Sequence, residues 1–204
     1  MTGDVIQDDS AAAYRRFIEL MGPLGLPVHC VPGNHDIRPL MQHALSEPPF
    51  RYCESQVIGE WLITGIDTCV EGEAGGLIGN QEMERLRDTL ATATTRHVAV
   101  CMHHPPLPVH SKWLDGVGLQ NANEFLRVVS EAGNVRVAIF GHVHQAFDEF
   151  CGTVRIIGTP STCAQFRPFA DEFELDDTPP AYRRISLNAD GAVDTELIWL
   201  TTGK

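Results

Sequence analysis

Apolar runs of about five residues alternate along the chain with stretches in which apolar positions recur every three or four residues. The first pattern predicts buried strands, and the second predicts helices with one buried face. Residues 11–21 set Tyr14, Phe17, Ile18 and Met21 on one helical face, with Asp8, Asp9 and Ser10 ahead of them as N-cap oxygens and Gly22-Pro23 as a stop. Residues 81–90 and 123–132 repeat the helical spacing through Met83, Leu86 and Leu90, then Phe125, Leu126 and Val129. Each of these helices leads into an apolar strand, 97–102 and 135–140. Shorter strands are predicted at 26–31 and 61–67. From residue 153 onward the chain turns to strand material at 153–157, 183–187 and 193–200, around an acidic, proline-containing loop at 171–180. Such alternation predicts an α/β fold, and 204 residues without a linker or repeat predict one domain, 1–204.

Charge narrows the partners. The chain carries 27 acidic against 15 basic side chains, a net charge of −12, and no basic cluster larger than Arg15-Arg16 or Arg183-Arg184. It is expected to repel polyphosphate backbones and anionic lipid surfaces, so neither a nucleic acid polymer nor a membrane is expected as a partner. A small anion remains compatible, because a bound metal ion reverses the local potential. No apolar run approaches the length of a membrane helix, and the first residues resemble no export signal. The six cysteines form no C-x-x-C pair and are expected to be reduced core residues, which excludes zinc-finger and redox readings.

Four polar clusters sit where predicted strands end: Gly3-Asp4, Gly33-Asn34-His35-Asp36, His103-His104-Pro105-Pro106 and Gly141-His142-Val143-His144. Ligands of open α/β sheets bind outside the carboxyl ends of the strands, so these clusters are expected to converge. An Asp carboxylate, an Asn amide oxygen and several imidazoles make a mixed oxygen and nitrogen donor set suited to zinc, manganese or iron. Of nine histidines, five lie in these clusters; His29, His43, His97 and His110 have no such context and are expected to be structural or surface residues.

In that order the four clusters resemble the signature blocks of the calcineurin-like binuclear metallophosphoesterases. Residues 2–10 (TGDVIQDDS), 111–121 (SKWLDGVGLQN) and 159–168 (TPSTCAQFRP) further resemble the bacterial class III 3′,5′-cyclic AMP phosphodiesterases, and the likeness covers essentially the whole chain. The resemblance implies a sandwich of two mixed β-sheets flanked by helices. It also implies two divalent metal ions, iron or manganese with zinc as a further candidate, and a cytoplasmic enzyme that hydrolyses cyclic AMP to 5′-AMP with a metal-bridged hydroxide. By the same resemblance Asp4 bridges the ions, Asn34, His103 and His142 complete the second site, and His144 helps to hold the first. His103 is preferred over His104 because it comes first after its strand and fits a His-x-Pro spacing. His35 is the implied proton donor to the leaving oxygen, and Asp4, Asn34, His35 and His144 are the implied substrate contacts. Asp36 either orients His35 or caps its loop, with equal weight. Trp113, Phe166 and Arg167 are the implied neighbours of the adenine.

One block of the family pattern, an Asp-x-His at the end of the first strand, has no counterpart here. The chain is therefore expected to be truncated at its N-terminus, without the family's first strand and helix, and with the first metal site incomplete. Two other readings stand beside the cyclic AMP phosphodiesterase. One is another phosphodiesterase or phosphomonoesterase of the same superfamily; the other is a catalytically impaired remnant that holds a single ion.

Overall fold

The computed structural model describes residues 1–8 and 10–200. Helix α1 (Ala11–Met21) starts where Ser10 Oγ accepts the Ala13 amide, and a short 3-10 turn at Gly22–Leu24 ends it. Asp9, also expected as a cap, lies outside the described residues. Strand β1 (Val28–Cys30), helix α2 (Arg38–Ala44) and strand β2 (Phe50–Tyr52) follow, with β1 and β2 paired in parallel. Strands β3 (Ser55–Ile58) and β4 (Trp61–Gly65) form a hairpin. Helix α3 (Asn80–Thr92) leads to strand β5 (His97–Cys101). Past a one-turn helix α4 (Lys112–Asp115), helix α5 (Ala122–Ala132) leads to strand β6 (Val135–Phe140). Strands β7 (Phe147–Cys151) and β8 (Val154–Gly158), a small β9 (Gln165–Phe166) and β10 (Leu175–Asp176) pair, and the hairpin β11 (Ala181–Leu187) and β12 (Val193–Trp199) complete the order.

The main sheet has the order β3-β4-β5-β6-β8-β7, parallel through β4, β5, β6 and β8 and antiparallel at both edges. Parallel strands need apolar cover on both faces, and the alternation within β6 divides that cover. Ala138 and Phe140 face the core beneath α3 and α5, where Met83, Leu86, Leu90, Phe125, Val128 and Val129 are buried. Val137 faces the other way with Trp61, Ala99 and Ile157, onto Leu187 and Val193 of the β11–β12 hairpin. The molecule is thus a mixed sheet with helices on one face and a smaller β-layer on the other. Among the described residues that second layer is a set of separate two-stranded ladders rather than one continuous sheet. No helix of the described residues is long and apolar enough to cross a membrane.

Period-based reading placed the long helices and central strands within a few residues, and β6 at its observed bounds. It passed over α2, β2, β3 and β7. Strand β7 exposes its three middle residues and so lacks a two-faced alternation, while α2 starts at Arg38-Pro39 with no side-chain cap. The acidic loop also hides β10.

Leu86 is wholly buried and Leu20 is 74% exposed. In urea unfolding, Leu86→Ala is expected to cost about 2–5 kcal/mol by leaving a cavity, while Leu20→Ala stays within about 0.5 kcal/mol of the parent. Equal effects would contradict the core assignment.

Candidate metal centre

The parallel strands end side by side, so the loops after β5 and β6 meet in one line. Residues 1–6 reach them along β1, with Val31 N–H donating to the Met1 carbonyl at 3.2 Å. Two close approaches depend on glycine. A Cβ on Gly3 would collide with the His103 ring, and one on Gly33 with Asp4 Oδ1. Asp4, His142 and His144 hold positive φ values of 53°, 66° and 48°, a region that non-glycine residues occupy uncommonly and that Cys53, His110 and Phe169 also adopt.

The result is a knot of four donor atoms. His103 Nε2 lies 3.3 Å from Asp4 Oδ2, 3.1 Å from Asn34 Oδ1 and 3.2 Å from His142 Nδ1, and His142 Nδ1 lies 3.0 Å from Asn34 Oδ1. On its other side His103 Nδ1–H donates to the Thr2 carbonyl at 2.7 Å, so Nε2 of the neutral ring carries a lone pair. Lone pairs this close repel unless a proton or a cation lies among them. Metal–ligand bonds of about 2.0–2.1 Å give neighbouring ligand atoms separations of about 3.0–3.4 Å, which is the spacing observed. The buried His142 Nε2 has no hydrogen-bond partner. These residues fit a divalent ion by spacing and by donor type.

Electrostatics agree. Burial opposes the charge on Asp4, but hydrogen bonding and attraction from His103 outweigh it and hold the carboxyl well below the usual range. Burial likewise pushes His103 down, and the Asp4 carboxylate overrides it, so His103 is raised. Burial lowers His142 well below the ordinary imidazole value, aided by repulsion from His103 and His104. It lowers His144 as well. Neutral imidazoles are the ligating form.

The remaining candidates differ from this knot in their partners, although a ring nitrogen of His104 lies within 4.8 Å of those of His103 and His142. His104 has both ring nitrogens in use: Nδ1 accepts from Thr68 Oγ1 at 2.8 Å, and Nε2–H donates to the Ala74 carbonyl at 3.1 Å. Buried and beside His103, its pKa falls to about 3. His144 Nδ1–H donates to the Ala164 carbonyl at 2.8 Å, leaving Nε2 as the lone-pair nitrogen, and its ring stacks on Phe166 with centroids 4.1 Å apart. His35 is exposed; its backbone N–H donates to Asp4 Oδ1 at 3.0 Å. Of the two roles expected for Asp36, orienting His35 is overturned. Its carboxylate accepts from Gly33 N–H at 2.9 Å, Val5 N–H at 3.2 Å, Ile6 N–H at 3.3 Å and Tyr14 O–H at 3.0 Å, and so ties two loops together. Around the implied adenine site, Trp113 packs edge-on against Phe166 at 5.1 Å, while Arg167 is paired with Glu174 at 2.7 Å.

Sequence reading missed Thr2, whose backbone carbonyl sets the His103 tautomer, and Thr68, which holds His104. Neither carries a sequence signal, since a carbonyl is common to every residue. Tyr14 was visible only as an apolar face residue, yet its hydroxyl binds Asp36 and accepts the Ile37 amide.

A sequence profile of calcineurin-like phosphoesterases matches residues 1–146. The chain is 36% identical over 197 residues to the 3′,5′-cyclic adenosine monophosphate phosphodiesterase CpdA of Haemophilus influenzae. It is 39% identical over 197 residues to CpdA of Escherichia coli. Each match covers 96% of this chain and 72% of the relative. Among solved structures it is similar to a dimetal phosphatase from Danio rerio, with a TM-score of 0.61 over 93% of this chain and 79% of that one. At 15% identity that likeness speaks for the fold alone.

Metal counts per chain distinguish the adjacent histidines. His103→Ala is expected to lower bound manganese, whereas His104→Ala keeps the metal and costs about 2–4 kcal/mol of stability through a cavity and unpaired polar groups. Metal loss from His104→Ala in a folded protein would reverse the assignment. Retention should weaken as pH falls from 8 to 5, since protons compete for the imidazoles and the raised pKa of His103 makes it the first to be taken.

Proposed function

The chain belongs to the calcineurin-like phosphoesterases, and on that premise we propose that it hydrolyses 3′,5′-cyclic AMP to 5′-AMP with divalent metal ions. The observation that carries the chemistry is the four-atom knot at His103 Nε2, with separations of 3.0–3.3 Å. The substrate class rests on the cyclic nucleotide phosphodiesterases that the chain matches along nearly its whole length. We read residues 1–204 as one domain of such an enzyme.

Asn34, His103 and His142 would hold one ion, Asp4 would be shared between two, and His144 would serve the other through Nε2, which leaves that other ion with two side-chain ligands from these residues. A mixed oxygen and nitrogen set of this kind suits iron or manganese, with zinc also accommodated. When bound, the ions supply Lewis acidity, which draws a nucleophile from water near neutral pH and neutralises charge on the phosphate. The protein's own groups do the rest. Thr2 fixes the His103 ring so that its lone pair faces the site. Asp4 Oδ1 fixes the backbone of His35. The exposed His35 ring lies beside the ligand Asn34, where it can reach the substrate and give a proton to the 3′-oxygen as its bond to phosphorus breaks. Asp4, Asn34, His35 and His144 are then the groups nearest the phosphate. Cyclic AMP carries one negative charge, so local positive potential from the metal suffices to attract it to an acidic chain. All six cysteines are free, which fits a reducing cytoplasm.

With only two side-chain ligands at the second of these ions, the purified chain loaded with manganese is expected to convert cyclic AMP to 5′-AMP slowly, read by chromatography. His35→Ala should lower kcat by about 10²–10⁴ with metal content unchanged, and Asn34→Ala should lower turnover and metal together. A His35→Ala protein that turns over at the parent rate, or that loses its metal, would overturn the role given to His35.

A further inference from the structure

With Asp36 committed to the loop, the ring of His35 needs another anchor. The structure gives one: Gln7 Nε2 lies 3.1 Å from His35 Nδ1, across 28 residues of sequence. Gln7 stands three residues after Asp4, on the loop that Asp36 ties down through Val5 and Ile6. The backbone of His35 is tied to the same loop through Asp4 Oδ1. Both partners are thus carried by two loops that are cross-linked to each other, which lowers the entropy lost in holding two exposed side chains together.

We infer that Gln7 is a positioning residue that holds the His35 ring through proton transfer. The inference rests on the role of His35 as proton donor. A carboxamide carries a carbonyl and an NH2 on one carbon, so a half-turn of the amide offers an acceptor to Nδ1–H or a donor to a bare Nδ1. The charged ring and the ring that has given up its Nε2 proton both keep Nδ1–H, and the Gln7 carbonyl accepts it in both. As placed here, the NH2 group of Gln7 faces Nδ1. In every state Nε2 remains the nitrogen directed away from Gln7 and free to meet the 3′-oxygen. When the P–O3′ bond breaks, its electron pair stays on O3′ and takes the Nε2 proton. Gln7 adds no charge, so it orients the donor without competing for the metal ions.

The test is a double-mutant cycle on the manganese-loaded protein, with cyclic AMP and with bis(p-nitrophenyl) phosphate, whose p-nitrophenolate leaves without needing a proton. Gln7→Ala is expected to lower kcat on cyclic AMP about tenfold, with KM and metal content unchanged. It should lower the activated ester far less, and cause no further loss when added to His35→Ala. In the metal-free protein, imidazole 15N NMR should show the His35 Nδ1 resonance move in Gln7→Ala. Both residues are exposed, so the variant should keep the parent melting temperature. Parent turnover in Gln7→Ala, equal losses on both esters, full additivity with His35→Ala, or an unmoved resonance would each overturn the inference about Gln7. If His35→Ala alone leaves cyclic AMP turnover unchanged, the proton-donor role fails first, and the resonance still reports whether Gln7 holds the ring.

Discussion

Much of this structure is arranged around one close meeting of polar atoms. Asp4, Asn34 and His142 each bring a polar atom to within 3.3 Å of His103 Nε2, and His103 is 99% buried. In water such groups would turn away from one another. Here they are held. The Thr2 carbonyl fixes one ring, Gly3 and Gly33 permit the approach, and left-handed backbone at Asp4 and His142 aims the donors inward. Non-glycine residues in that region cost about 1–3 kcal/mol each and persist only where their surroundings over-determine them. A cation among the four atoms turns the repulsion into coordination.

Holding that strain requires a stiff support. The parallel strands β4, β5, β6 and β8 are covered by α3 and α5 on one face and by the β11–β12 hairpin on the other, and Val98, Ala99 and Val100 of β5 are wholly buried. Close-packed interiors transmit displacement instead of absorbing it. The loops after β5 and β6 thus inherit the fixed spacing of their strands, and Gly141 N–H donates to the His103 carbonyl to lock one to the other. The Asp36 carboxylate performs the same service on the side of residues 4–6 and 33–37, where no strand of the main sheet runs. Four donors converge on it from two loops and a helix, and burial raises its pKa in spite of three of them. A polar tie is weaker than a packed slab, and it is at this tied side that His35 and Gln7 stand exposed.

The neutral state of the surrounding histidines follows from the same arrangement. One imidazole, His103, is pulled toward the charged form by Asp4, and its positive charge then disfavours charging of His104 and His142. Neutral His142 needs no proton displaced to ligate an ion, whereas His103 must give one up.

The order of the four polar blocks, their places after apolar runs and the mixture of carboxylate, amide and imidazole were all legible in the residues. Short-range physics suffices for that: strand and helix periods locate the elements, and sheet geometry dictates that loops at neighbouring strand ends converge. Asp4, Asn34, His103 and His142 were named on those grounds and on family likeness. The residue pattern prefers His103 to its neighbour only by position, and it leaves two roles for Asp36 open. Those choices rest on which hydrogen-bond partners reach each ring or carboxylate from distant positions: Thr2 across 101 residues for His103, Thr68 across 36 for His104, and Tyr14 across 22 for Asp36. A backbone carbonyl leaves no trace in residue type, and a tyrosine on an apolar face does not announce where its hydroxyl ends. Composition and period determined which chemistry the chain can carry; tertiary contact decided which atoms are brought together for it, because a hydrogen bond depends on position and direction in space that no local pattern encodes.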